Sequence, residues 1–296
     1  MRAFTPAEAW LQHVINPDAA FLRVLHLTYG NDGGVLGDRL QLLRRALELF
    51  LGHYGNLPVR VFRSPGRINL RGMHVDTHGG YLNLVAHQRE TLVVCAEAED
   101  EQCRIANITS WYPDLSFNLG EIIQTSIRSK DWNQVLSSDR VRNRVHQRRG
   151  NWGNYVEGVV ARLALKKRIE KGFYAVVASD IPSGAGLSSS HALCTAMLYA
   201  LSAIFGVELS DAERILAVRD AEWYAGARSG VSDQGAMILC KNGEMVNAPL
   251  FAADLDLSCV RRLVLPEDAV VLVVNSFTSR NLSGGQMIEY TRNRFA

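Results

Sequence analysis

Residues 173–205 read FYAVVASDIPSGAGLSSSHALCTAMLYALSAIF, and this stretch decides the fold. FYAVVASD is an apolar run of strand length without polar alternation, the pattern of a strand buried on both faces. A Gly/Ser loop follows, and then an uncharged helix that runs to Phe205. Gly184 and Gly186 let the backbone turn tightly and approach a ligand, while Ser188, Ser189 and Ser190 place hydroxyls and unpaired N–H groups at the start of the helix. Unpaired amides and the positive end of the helix dipole together favour an anion, phosphate above all. Capping alone would account for one or two of the serines.

Working outward, the sequence predicts helices over residues 1–56, clearest in DRLQLLRRALELFLGHYG, which Gly52 and Gly55 close. VRVFRSPGRINL reads as a short β run broken at Ser64-Pro65-Gly66, and YLNLVAHQRETLVVCAEAE as further strands. Residues 100–150 read as polar and irregular, and the basic run RSKDWNQVLSSDRVRNRVHQRRG within them reads as a solvated helical face and is assigned no chemistry. NWGNYVEGVVARLALKKRIEKG is helical by spacing, with Gly172 as its stop, and Ser210-Asp211 opens another helix through Trp223. DAVVLVVNS reads as a strand, and QMIEYTRNRFA as the start of a helix.

Composition narrows the function classes. The 296 residues suggest about two domains or one large one. The net charge of +2, from 32 Lys+Arg and 30 Asp+Glu, gives no overall field for nucleic acid or an anionic membrane. The five cysteines are odd in number, widely spaced and without a C-x-x-C pair, which suggests reduced thiols and a cytoplasmic location. Ala192 to Val207, although uncharged, is shorter than the roughly 20 residues that cross a bilayer, so it reads as a buried helix. The N-terminal segment lacks the apolar core of a secretory signal. A small-molecule site is therefore the expectation, with oligomeric state open.

The loop after residue 179 is neither of two better-known phosphate loops. No Gly-Lys-Ser/Thr occurs anywhere in the chain, as a Walker A motif requires. A dinucleotide fingerprint would need a third glycine where Ser189 stands. A second cluster lies in RSPGRINLRGMHVDTHGGYLN, where His74, Asp76 and His78 would share a face if the segment is extended. Such a set suits a metal ion or, equally, the hydroxyls of a polyol, which a carboxylate can grip in pairs. A third cluster, GARSGVSDQGAM, holds Asp233 in a Gly/Ser-rich loop.

Taken together, the clusters resemble the galactokinase branch of the GHMP sugar kinases. Pro65, Gly66, Arg67, Asn69, Leu70, Gly72, His74 and Asp76 match that family's first motif. Pro182, Gly184, Gly186, Leu187, Ser188, Ser189 and Ser190 match its second, and Trp152, Tyr155 and Gly158, then Gly230, Asp233 and Gln234, follow in the right order. The resemblance implies an α+β, two-domain fold: a mixed-sheet N-terminal domain over residues 1–208 with a left-handed βαβ phosphate loop, then a second domain beginning at 209. It implies ATP as donor, Mg²⁺ as its partner ion and a sugar as acceptor, phosphorylated in this branch usually at the anomeric hydroxyl. Asp233 would take the proton of the attacking hydroxyl and Arg67 would stabilise charge beside it. Pro182, Gly184, Ala185, Gly186, Leu187, Ser188, Ser189 and Ser190 would cradle the triphosphate, with Ser190 and Glu222 as Mg²⁺ contacts. His74, Asp76 and Gly230 would hold sugar hydroxyls together with Arg67 and Asp233.

Departures from the family pattern shape the substrate expectation. Met73 replaces a glutamate associated with the C6 end of galactose, and Arg71 replaces an apolar residue. Loss of a carboxylate and gain of a cation suit a uronic acid such as galacturonate, which an arginine fork can bind through two charge-assisted hydrogen bonds. Glu222 stands four residues before Gly226 instead of five, and Ser232 replaces a methionine. The family's third glycine-rich motif does not occur, so the second domain is expected to be incomplete. These last departures keep open an alternative, a sugar- and ATP-binding sensor that has lost catalysis.

Overall fold

A computed structural model describes residues 4–72, 75–77, 79–129, 131–266, 268 and 271–274. The chain opens with a two-residue strand β1 (Thr5–Pro6) and three helices, α1 (Ala7–Ile15), α2 (Ala19–Tyr29) and α3 (Gly33–Tyr54). Four strands follow: β2 (Pro58–Arg71), β3 (Leu82–Glu97), β4 (Gln102–Asn107) and β5 (Leu115–Asn118). Next come α4 (Leu119–Arg128), α5 (Trp132–Ser137), α6 (Asp139–Gln147) and α7 (Gly153–Ala164). β6 (Phe173–Ser179), α8 (Ser189–Phe205), α9 (Asp211–Tyr224), α10 (Ser232–Leu239), β7 (Glu244–Ala248) and β8 (Arg261–Val264) complete the described elements.

The sheet runs β1-β2-β3-β6-β4-β5, with β7 pairing both β3 and β8. It is mixed, because β4 and β6 pair in parallel while the other pairs are antiparallel. β6 therefore lies inside the sheet, which explains its uninterrupted apolar run. Ala175 and Val177 face a core built with α4, α7, α8 and α9 residues, whereas Val176 and Ala178 face a second core built with α1 and α3. Both alternating faces are buried from Ala175 to Ala178, so the middle of β6 has no position at which a polar residue would meet water. A third core joins Leu82 and Leu84 of β3 to Ile215, Val231, Ala236 and Val246. Residue 209, the expected start of a second domain, falls between α8 and α9, and both helices contribute to one core.

Five expectations need correction. Ser64-Pro65-Gly66 does not break the strand: β2 continues through it, and a register shift against β3 between Pro65 and Arg67 absorbs the proline, which cannot donate to the ladder. Gly52 lies inside α3, and the cap is Gly55 with a φ of 76°. Residues 100–150 are ordered into β4, β5 and three helices. Their charges hid the pattern, since α6 has only one buried residue, Val141. The helix after Trp152 ends at Ala164 rather than at Gly172. Residues 271–274 lie in no strand, and the rest of DAVVLVVNS, apart from Asp268, falls outside the described residues, as does QMIEYTRNRFA. No helix among the described residues is long and apolar enough to cross a membrane.

Candidate active site

β6 ends at Ser179, and the loop that follows turns through Gly184 at φ 72° and Gly186 at φ 75° before α8 begins at Ser189. A Cβ at Gly186 would meet nothing within 4 Å, so its glycine serves the positive φ and keeps open the space in front of the loop. Ser188 is the single non-glycine residue with positive φ among the described residues, at φ 62° and ψ 47°. Strain of this kind persists where the surroundings enforce it, often at functional sites. Its side chain makes no cap on α8. Instead its hydroxyl donates to Asp233 Oδ2, so capping does not explain this serine.

Asp233 sits in the first turn of α10 and meets Arg67 from β2, 166 residues away in sequence. Arg67 Nε donates to Asp233 Oδ1 at 2.8 Å, and its NH1 donates to the Gly186 carbonyl at 2.8 Å. One guanidinium thus joins the phosphate loop to the acid. Burial alone would raise the Asp233 carboxyl. His191 and Arg67 beside it, with hydrogen bonds from Ser188 and Arg67, outweigh that and bring it down to about 2.

Asp76, in a 3-10 turn over Val75–Thr77, is buried, and its Oδ2 accepts from the Val231 and Ser232 amides at 2.7 and 3.1 Å. It thereby pins the start of the helix that carries Asp233. Gly230 must be glycine here, because a Cβ would come within 1.8 Å of the Asp76 carboxylate. The turn at 75–77 also removes the extended geometry on which a shared face for His74, Asp76 and His78 depended. Met73, His74 and His78 lie outside the described residues. Arg71, at the end of β2, is exposed.

The Ser190 hydroxyl lies near the Glu222 carboxylate and the Tyr155 phenol, and it favours the charged form of each. Glu222 thus reaches the loop from the last turn of α9, despite its four-residue spacing from Gly226. Burial pushes its carboxyl above the usual range, against the opposing effect of His191. A hydroxyl beside a buried carboxylate offers the hard oxygen donors that suit Mg²⁺, which is commonly held by one or two carboxylates together with substrate phosphates. Among the described residues no group of three or more His, Cys, Asp or Glu could hold a metal ion, so protein ligands alone do not complete such a site.

Beside the loop opens a cleft of about 1960 Å³, larger than the roughly 300–1,000 Å³ of common ligand pockets. Pro182 to Gly184, Ser189 and Ser190 form one wall, and Trp111, Tyr112 and Trp223 add aromatic surface. Arg142, His146 and Arg149 also line it. These belong to the basic run to which the sequence assigned no chemistry. The run divides by helical spacing: Arg144 and Arg148 turn inward to the fully buried Glu157, while 142, 146 and 149 face the cleft. The three- and four-residue spacing was a usable signal, hidden by the uniform charge.

Residues 154–241 match the family model for the GHMP kinases N terminal domain. The chain carries the N-terminal domain of the GHMP kinases over these residues. Residues 48–97 match a second model, the galactokinase galactose-binding signature. The chain is 30% identical to galactokinase from Chloroflexus aurantiacus over 256 residues, covering 86% of this chain and 57% of that protein. With galactokinase from Clostridium perfringens it shares 31% over 192 residues, 64% of this chain and 44% of that one. It spans about half the length of these curated relatives. The solved structure of Lactococcus lactis galactokinase complexed with galactose has the same fold, with a TM-score of 0.62 at 24% identity over 82% of this chain and 57% of that chain. The two family models together cover β2, β3, the phosphate loop and Asp233.

Proposed function

We propose that this chain takes part in ATP-dependent phosphorylation of a monosaccharide, a galactose- or galacturonate-like sugar, at its anomeric hydroxyl. The observation that carries the reading is the convergence of Arg67, Asp233 and Ser188 on the loop that opens into the cleft. ATP would lie in that cleft, its phosphates against the loop and the unpaired amides of α8, its base near the aromatic wall. Mg²⁺, held by Ser190 and Glu222 with the phosphates, would neutralise charge on the transferring group. Asp233, ionised at neutral pH, would orient the sugar hydroxyl and accept its proton late. So acidic a carboxyl is a weak general base, but phosphoryl transfer through a loose transition state asks mainly for positioning and charge stabilisation. Arg67 would supply the latter at the attacking oxygen. Asp76 and Gly230 would contribute to the sugar side chiefly by holding Asp233 in place, and the family resemblance would add His74 and Met73. The uronic acid variant of this reading draws on Arg71, an exposed cation next to the sugar segment.

The test is ATP consumption by the chain, and by the longer protein if one contains it, across galactose, galacturonate and other hexoses. Turnover of one of them supports a kinase, and preference for galacturonate assigns the role to Arg71. Tight binding of sugar and Mg·ATP with no turnover would instead favour the sensor, which the altered Glu222 spacing and the missing third glycine-rich motif keep open. The division at residue 209 and a cytoplasmic location belong to the same proposal.

A further inference from the structure

His191 is the residue that the proposed chemistry leaves unused. It stands in the first turn of α8, beside Ser190, and is only 7% exposed. Neither ring nitrogen has a hydrogen-bond partner. A buried imidazole that makes no hydrogen bond is costly unless its charge is paired, and the groups that Nδ1 meets are carboxylates. Its surroundings are equally unusual. Nδ1 lies 3.5 Å from Glu222 Oε1 and 3.4 Å from Asp233 Oδ2, so one ring atom is within van der Waals reach of both site carboxylates.

A divalent ion shared by those two oxygens would need to approach each to about 2.0–2.6 Å. His191 Nδ1, 3.5 and 3.4 Å from those two oxygens, borders the space such an ion would take. We infer that His191 is a spacer that keeps a divalent ion off Asp233, confining any ion that arrives with nucleotide to the side of Ser190 and Glu222. The inference rests on the proposed reading of Ser190 and Glu222 as ion contacts. Its chemical sense is direct: a carboxylate that ligates an ion cannot also accept a hydrogen bond from a sugar hydroxyl through the same lone pair. With the ring in place, Asp233 keeps Oδ2 for Ser188 and Oδ1 for Arg67, both of which a hydroxyl can join.

The experiment measures Mn²⁺ binding by electron paramagnetic resonance in the absence of nucleotide. His191→Ala should bind Mn²⁺ about tenfold or more tightly than the unmodified chain, the scale on which ligand charge sets affinity for hard cations. The gain should vanish in the double variant His191→Ala/Asp233→Asn. His191→Ser, which is also small, serves as a second probe should the alanine variant misfold. An unchanged Mn²⁺ affinity in folded His191→Ala or His191→Ser overturns the inference. So does tight Mn²⁺ binding by the unmodified chain that is lost on removing His191, since the ring would then be a ligand. Calorimetry of Mg·AMPPNP on the unmodified chain runs alongside. Its failure to bind would remove the nucleotide reading, while a Mn²⁺ gain in His191→Ala would still support the spacer.

Discussion

The two ends of the phosphate loop are built differently. At the entry, Asp180 accepts from the Glu90 amide at 2.8 Å and pairs with Arg39 of α3. The fully buried Glu90 carboxylate lies between Arg39 and Arg63 and accepts from the Tyr29 hydroxyl at 2.7 Å. Two guanidinium groups thus meet two carboxylates, and the helical N-terminal segment is tied to the loop through α2 and α3. At the exit, the Glu222 and Asp233 carboxylates face one arginine, Arg67, and a histidine whose nitrogens find no hydrogen bond. The entry pairs its charges, although Arg39 Nε and Nη1 make no hydrogen bond, and Arg89 adds a contact to Asp180. The exit gathers the groups that the proposed chemistry uses, beside an open cleft. Paired charge networks fix position, whereas sites for substrate keep groups perturbed and available, so the proposal gives the holding of the loop to the entry and the chemistry to the exit.

The comparison breaks most visibly at the entry. Glu90→Ala would leave Arg39 and Arg63 buried without their shared partner, and a buried pair broken on one side costs about 3–5 kcal/mol. Denaturant unfolding should show a loss of this size. A cost below about 1 kcal/mol, the range of exposed pairs, would mean the entry network is not structural.

Next in size is the loop between the ends. Gly186→Val forces a branched residue into the left-handed region, at a cost of about 1–2 kcal/mol, and places methyl groups in the space before the loop. Mg·AMPPNP binding should disappear from calorimetry while the chain remains folded. Undiminished binding would remove the loop from the nucleotide site.

The smallest effect is a pH signature at the exit. The Asp233 carboxyl, at about 2 in the folded chain against about 3.9 in an unfolded one, contributes stability that is present above pH 4 and lost as pH falls toward 2. The unfolding midpoint of Asp233→Asn should therefore fall less steeply over that interval than that of the unmodified chain. Parallel acid profiles would show that His191, Arg67 and Ser188 do not hold this carboxylate in its charged form.

Much of this was legible in the residues, for identifiable reasons. β6, α8 and the loop between them were read correctly because apolar runs and glycines act locally. The Arg67–Asp233 pair required the family resemblance, since no local pattern joins residues 166 positions apart. β2 was misread at Pro65 because a bulge depends on the partner strand, which a single segment does not reveal. The basic run within 100–150 was read as a solvated face because Arg144 and Arg148 are held inward by Glu157, so charged residues occupy positions that an amphipathic pattern reserves for apolar ones. His191 drew no notice because its meaning lies in Glu222 and Asp233, which only the fold brings to it.

The division of labour is tested most directly by Asp233→Asn, assayed for turnover of the best sugar and for Mg·AMPPNP affinity on the same preparation. The account predicts that kcat falls by about 10² or more, the scale of a proton-accepting group, while nucleotide affinity changes little because the loop and its entry network are untouched. Turnover retained within a few fold, or nucleotide binding lost together with activity, would contradict it.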